Sequence, residues 1–364
     1  MSATHAFLYM DSFDLLIFLF GGLQDRKFTM HSENNISSNR LYWIDFMKSI
    51  GILLIVYGHF FSYGARFVYI FSVPLFFLIS GFLSKQETDI NIFWKKIWFN
   101  LAVPMIIIVF IGMIKSTFFS IIHNQFNINQ VLLFPLKLIV GDWRVLEAMW
   151  FVYTLIILKI ILQYCNAKIF QLVFGIVLLI IGYCIDCFKP SIMDYSFSEH
   201  PNAILNVCMA FPFFIIGYWL KGYKTELNAF NNTKLQIMSF VLCLGITVVC
   251  SVTNDYVWMY ENLFGNDLGL FLIGGCSGTF MIFIISKWLE HTSNKWAVII
   301  SNGTIVILGF HGYFIMVANR ISSSHSIMDI VFSFVIIILF IPIIRIAEAY
   351  FPYLIGKYRI KHNG

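Results

Sequence analysis

Asp45, Lys48 and His59 belong to one apolar stretch, Trp43 to Phe61, and their spacing places them on one face of a helix. Steps of three, four, three and four residues run from Asp45 through Lys48, Ile52 and Ile55 to His59, which is a stripe down one side of an α-helix. At 1.5 Å per residue, Lys48 and His59 are about 16 Å apart. An ionisable group at the centre of a helix in hydrocarbon costs about 2.5–3.5 kcal/mol to insert, so three on one face mark a site. The imidazole of His59 is suited to proton transfer near neutral pH, and it follows the flexible Gly58. Two plainer readings compete. Asp45 and Lys48 form a structural ion pair with the lysine stem reaching back to the interface, or His59 is a hydrogen-bonded core residue.

The elements that carry these residues must be membrane helices. Hydrophobic residues make up 59% of 364 positions and charged residues 12%, with a mean hydropathy of +0.80, which is outside the range of soluble domains. The apolar runs approach the roughly 20 residues that cross a ~30 Å hydrocarbon core, about twice the length of a spanning β-strand. The fold class is therefore all-α, a polytopic membrane helix bundle. The net charge of +5 is spread singly between apolar runs and forms no nucleic-acid-binding patch. The seven cysteines fall mostly within apolar runs, as small soft hydrophobes do; Cys184 and Cys187 form a C-x-x-C, a weak redox or disulfide signal. No cluster of His, Cys and carboxylate has tetrahedral zinc spacing, so no metal is assigned.

Ten spans can be drawn: 43–63, 67–84, 98–114, 148–164, 168–187, 203–220, 235–253, 268–288, 296–317 and 327–347. The run 131–140 is too short to span and is re-entrant or interfacial. With the N-terminus in the cytoplasm, 17 of the 24 Lys and Arg residues fall on inside segments, 6 on outside segments and Lys48 within the first span. That bias places both termini inside. The loop 254–267 agrees, with three acids and no Lys or Arg. Residues 1–39 form an extension of uncertain structure, in which Leu15 to Leu23 fits neither a signal peptide nor a span; Met30 is the true start, or the segment is an interfacial helix. Residues 40–348 form the membrane domain and 349–364 a basic cytoplasmic tail. Gly274 and Gly278 are spaced for close helix packing.

The segment Arg40 to Lys48, followed by Ile52 to His59, resembles the opening signature of the acyltransferase 3 family, membrane enzymes that move acetyl and related acyl groups onto carbohydrates. Phe71 to Phe82 is similar to the family's second-span pattern, with Pro74 before a run of phenylalanines and then Ser80, Gly81 and Phe82. Met149, Trp150 and Phe151 resemble its Leu-Trp-Phe, and Ser301 to His311 its late segment ending in histidine. The likeness runs from residue 40 to about 345. Lys48 stands where the family's best-known motif has an arginine, with ten residues between it and the histidine, and it keeps the charge but not the planar fork, which leaves a point-charge role. The family's fucose acetylase-like branch is similar in using lysine here. Lys95, Lys96 and Asn100 stand where many members carry an arginine cluster.

The resemblance implies acetyl-CoA as donor and a carbohydrate acceptor, surface polysaccharide or lipid-linked precursor, at a bacterial inner membrane. Lys95 and Lys96 then hold donor phosphates, or serve only as topology anchors. His59 acts as general base or transient acyl carrier, with Asp45 and Lys48 organising the helix face and the donor. Glu147, Trp150 and His311 are candidates to contact the acceptor, against a solvated helix end, ring packing and a polar helix contact respectively. The rival class is a transporter or flippase for polysaccharide intermediates, since buried charges also mark transport pathways.

Overall fold

Water is absent from hydrocarbon, so a spanning backbone must satisfy its own N–H and C=O groups, and the apolar runs accordingly fold as helices. The computed structural model describes residues 40–61, 63–193, 203–292, 295–321 and 327–356, and among them no strand forms. The principal helices are α1 Tyr42–Gly58, α2 Ser72–Leu83, α3 Ile90–Ile122, α4 Trp150–Tyr164, α5 Lys168–Met193, α6 Asn206–Leu220, α7 Thr233–Thr253, α8 Leu268–Leu289, α9 Thr304–Ile321 and α10 Ile327–Tyr350. Among the described residues, seven helices are long and apolar enough to cross a membrane: α3, α7, α8, α9, α10, α2 joined to the short helix Ala65–Tyr69, and α4 extended back to Arg144. The remaining three expected spans hold α1 with 17 residues, α6 with 15, and α5, whose apolar part is Lys168–Cys184. The run 131–140 lies in two short helices, Ile128–Leu132 and Phe134–Val140, with Leu132 and Ile139 exposed. The extension 1–39, the tail from residue 357 and the side chain of Cys187 lie outside the described residues.

The position of α1 explains its composition. It packs on α2, α8, α9, α10 and the short helix Lys295–Asn302, so protein surrounds it and its polar stripe meets no lipid-facing side. Ile52 and Val56 are fully buried, and Asp45 is buried beside them. The peripheral faces of α3, α5, α7 and α10 instead expose Ile, Val, Leu and Phe, as a lipid contact requires.

The largest helix interface joins α2 and α6. A Cβ placed on Gly81 would stand 1.8 Å from the Phe214 carbonyl oxygen, and one on Gly217 1.9 Å from that of Leu78. The two backbones touch because neither crossing residue has a side chain. Gly274 and Gly278 let α8 approach the side chains of Ile70 and Phe71, which a Cβ would meet at 2.5 and 2.4 Å. In α3 the turn Trp98–Ala102 is π-helical. Pro104 has no N–H to offer the carbonyl of Asn100, and the helix widens there. The expected span 296–317 is interrupted at Gly303, where a Cβ would lie 2.3 Å from Cδ1 of Ile344.

Candidate functional site

His59 sits one residue beyond α1, and three local contacts fix it. Its backbone N–H donates to the Ile55 carbonyl at 3.2 Å, its Nδ1 lies 2.7 Å from the same oxygen, and the Tyr69 hydroxyl donates to the Gly58 carbonyl at 3.0 Å. On α9, Nδ1 of His311 lies 2.8 Å from the Leu308 carbonyl and 3.1 Å from that of Ile307. A carbonyl oxygen can only accept, so Nδ1 carries the hydrogen on both rings and each Nε2 keeps its lone pair. The two rings meet edge to face, centroids 4.7 Å apart at 81°.

Nε2 of His311 is buried and has no hydrogen-bond partner among the described residues. An unmet buried acceptor costs about 1–3 kcal/mol. Both histidines belong to the lining of a cavity of about 460 Å³, where His59 is exposed and His311 is buried behind it. Ile52 and Ile55 continue the α1 stripe along its wall. Glu147 and Trp150 also line it, so four of the residues singled out from the sequence, His59, His311, Glu147 and Trp150, come together here.

Glu147 is exposed at the cavity and has φ of +44°, the left-handed region that non-glycine residues avoid. Its carboxylate is 3.8 Å from Nζ of Lys115, which stands 4.4 Å from the ring centre of Tyr313. Trp150 packs on Phe77 and Phe151. The lining also includes residues that sequence reasoning did not single out, among them Tyr69, Lys115, Trp258, Tyr260 and Tyr313. The alternation Tyr256, Trp258, Tyr260 within a loop already noted for its acids was the available signal.

The other candidates lie toward the end of the bundle where α1 begins. Lys96 donates to Glu87 at 2.8 Å, Lys85 pairs with the same carboxylate at 3.2 Å, and Lys95 is exposed. Burial raises the Glu87 pKa, but the hydrogen bonds and charges of Lys96 and Lys85 outweigh it and hold the carboxyl below its ordinary value. Two further lysines converge on the buried Ser84: Lys159 donates to its Oγ at 2.6 Å and Lys221 to its carbonyl at 2.8 Å. Lys159 feels the charges of Lys48, Lys221 and Lys96. Burial first, then Lys85 and Lys224, pull the Lys221 pKa down. Asp45, on the preceding turn of α1, does not reach the cavity lining. Lys85, Lys96, Lys159 and Lys221 thus lie within electrostatic reach of Glu87, and this excess of ammonium groups favours a polyanion.

The stripe on α1 joins these two places. Lys48 belongs to the cationic cluster, Ile52 and Ile55 to the cavity wall, and His59 to the two-histidine centre. A family model described as an acyltransferase domain matches residues 41–346. No curated protein and no solved structure matches the chain.

Proposed function

Because the chain belongs to the acyltransferase 3 family of membrane acyltransferases, we propose that it transfers an acetyl group from acetyl-CoA to a hydroxyl of a surface polysaccharide or its lipid-linked precursor. The observation that carries this reading is the pair of imidazoles, each with Nδ1 held by a backbone carbonyl and Nε2 left basic, facing one cavity. His59 Nε2 takes the proton of the acceptor hydroxyl as its oxygen attacks the thioester carbonyl carbon. The carbon–sulfur bond then breaks, and the imidazolium returns the proton to the departing thiolate. The buried His311, edge to face with His59, acts through the shared proton rather than on the acceptor itself.

The donor's phosphates fit the cationic cluster of Lys48, Lys96, Lys159 and Lys221, on the end assigned to the cytoplasm, with Lys95 at its exposed edge. Asp45 keeps this end of α1 in place. From Lys48 to His59 the donor's flexible arm has to cover about 16 Å, three turns of α1. Glu147 and Trp150 face the acceptor on the opposite side of the centre. The bacterial inner membrane is the setting in which donor and acceptor meet across such a bundle.

The test is transfer of labelled acetyl from acetyl-CoA to envelope glycan in membranes containing the protein. His59→Ala is expected to lower transfer by about 10²-fold or more at equal expression. Undiminished transfer by His59→Ala removes His59 from the chemistry, and glycan translocation without acetylation replaces the enzyme with a transporter.

A further inference from the structure

The loop between α7 and α8 is long for a hairpin of helices, yet it is tied at every level. Asn254 Nδ2 donates to the Phe264 carbonyl at 2.7 Å, the Asp267 N–H donates to Asn254 Oδ1 at 2.9 Å, and the Arg66 guanidinium donates to the Asn254 carbonyl. Trp258 and Leu263 exchange N–H to C=O bonds of 2.8 and 3.1 Å, closing a tight turn through Asn262 at φ +58°. Val257, Met259 and Phe264 are buried beneath it. A loop anchored in this way holds its side chains in one arrangement without a ligand.

What it holds is an aromatic cluster on the cavity wall. The Trp258 indole lies nearly parallel to Phe61, at 18° with centroids 5.6 Å apart, and to Tyr69, at 15° and 6.0 Å. Tyr256 and Tyr260 flank it at steeper angles. The polar groups stand round this cluster rather than within it. The Tyr260 hydroxyl donates to Glu261 at 2.6 Å, Glu147 and Lys115 pair at 3.8 Å, and His59 lines the same cavity. A flat, braced aromatic surface with hydrogen-bonding groups around its margin suits a ligand with an apolar face and a polar edge. A pyranose ring has that construction, with axial C–H bonds on one face and hydroxyls round the rim. A lipid chain has no use for the polar margin.

We infer that Trp258, braced by Phe61 and Tyr69, is the platform on which a pyranose ring of the acceptor stacks, so that loop 254–267 selects the acceptor. The inference rests on the acceptor being a carbohydrate, as proposed above, and makes Trp258 a specificity residue of that same site.

Saturation-transfer NMR on the full chain in lipid nanodiscs tests it, using methyl β-glucopyranoside, methyl β-galactopyranoside, methyl α-fucopyranoside and methyl N-acetyl-β-glucosaminide as probes. At least one probe is expected to bind with its axial ring protons most strongly saturated. Trp258→Ala is expected to weaken that binding about tenfold and Trp258→Phe much less, since either aromatic ring offers a face. Gly245→Ala, on α7 outside the cavity lining and with nothing within 4 Å of the added methyl, is expected to bind the same probe as the wild type does. If no probe shows ring-proton saturation, or if Trp258→Ala binds as the wild type does, the platform is overturned. Loss of acetyl transfer as a detectable activity would overturn the proposed function while leaving this binding result to stand or fall alone.

Discussion

The two histidines differ in what surrounds them, and the difference separates a chemical role from a packing role for His311. His59 opens to the cavity, whereas His311 is 2% exposed and leaves Nε2 unmet. If His311 merely filled space between α9 and α1, replacing it would lower the melting temperature and leave turnover per folded molecule intact. A role in the proton's path predicts instead that His311→Ala lowers kcat by about 10²-fold while KM for acetyl-CoA stays within about twofold. An unchanged kcat returns His311 to packing. Glu87 gives a second prediction, through pH. Its carboxyl is held below its ordinary value, so its contribution to stability is complete above the ordinary carboxylate range and is lost as pH falls through the lowered value. Between about pH 6 and pH 3 the melting temperature of the wild type should therefore fall further than that of Glu87→Gln. Parallel curves would show that the pairs with Lys96 and Lys85 stabilise nothing.

Helices were legible because an apolar run near the bilayer's thickness has few other ways to satisfy its backbone, whereas their breaks and crossings depend on partners far along the chain. The π-turn in α3 answers Pro104 locally, but the interruption at Gly303 depends on Ile344 of α10. Gly81 could be read only as part of a family-like pattern; the crossing with α6 gives the physical reason for it. Replacing Gly81 or Gly217 with Ala sets a methyl inside a backbone carbonyl, 1.8 or 1.9 Å away, and only separation of α2 from α6 relieves it. Either change should cost at least the ~1–3 kcal/mol of ordinary overpacking, seen as a lower melting temperature and reduced recovery from membranes. Gly112 and Gly245 meet nothing within 4 Å at their would-be Cβ positions, so Ala there should leave the melting temperature unchanged or slightly raised. Equal effects at all four glycines would deny the crossing its special closeness.

At the scale of the whole molecule, the α1 stripe and its division between a Lys48 end and a His59 end could be drawn from the sequence, but the residues that each end meets could not. His59 meets His311 across 252 positions, and the charge of Lys48 acts on Lys159 of α4; no periodicity within α1 encodes either meeting. The division has an energetic consequence. Groups more than about 7–10 Å apart with no shared partner contribute additively, and the cationic cluster and the cavity centre are separated by about 16 Å along α1. Lys221→Ala should raise KM for acetyl-CoA severalfold with kcat little changed, and the same KM should rise with salt in the wild type as the ammonium groups are screened. Trp258→Ala should leave KM for acetyl-CoA unchanged and raise the acceptor's. In the double variant Lys221→Ala with Trp258→Ala, the two losses in kcat/KM should multiply, within about twofold. A double variant no worse than the poorer single one would mean that both ends act on one bound species, and the assignment of donor to one end and acceptor to the other would have to be withdrawn.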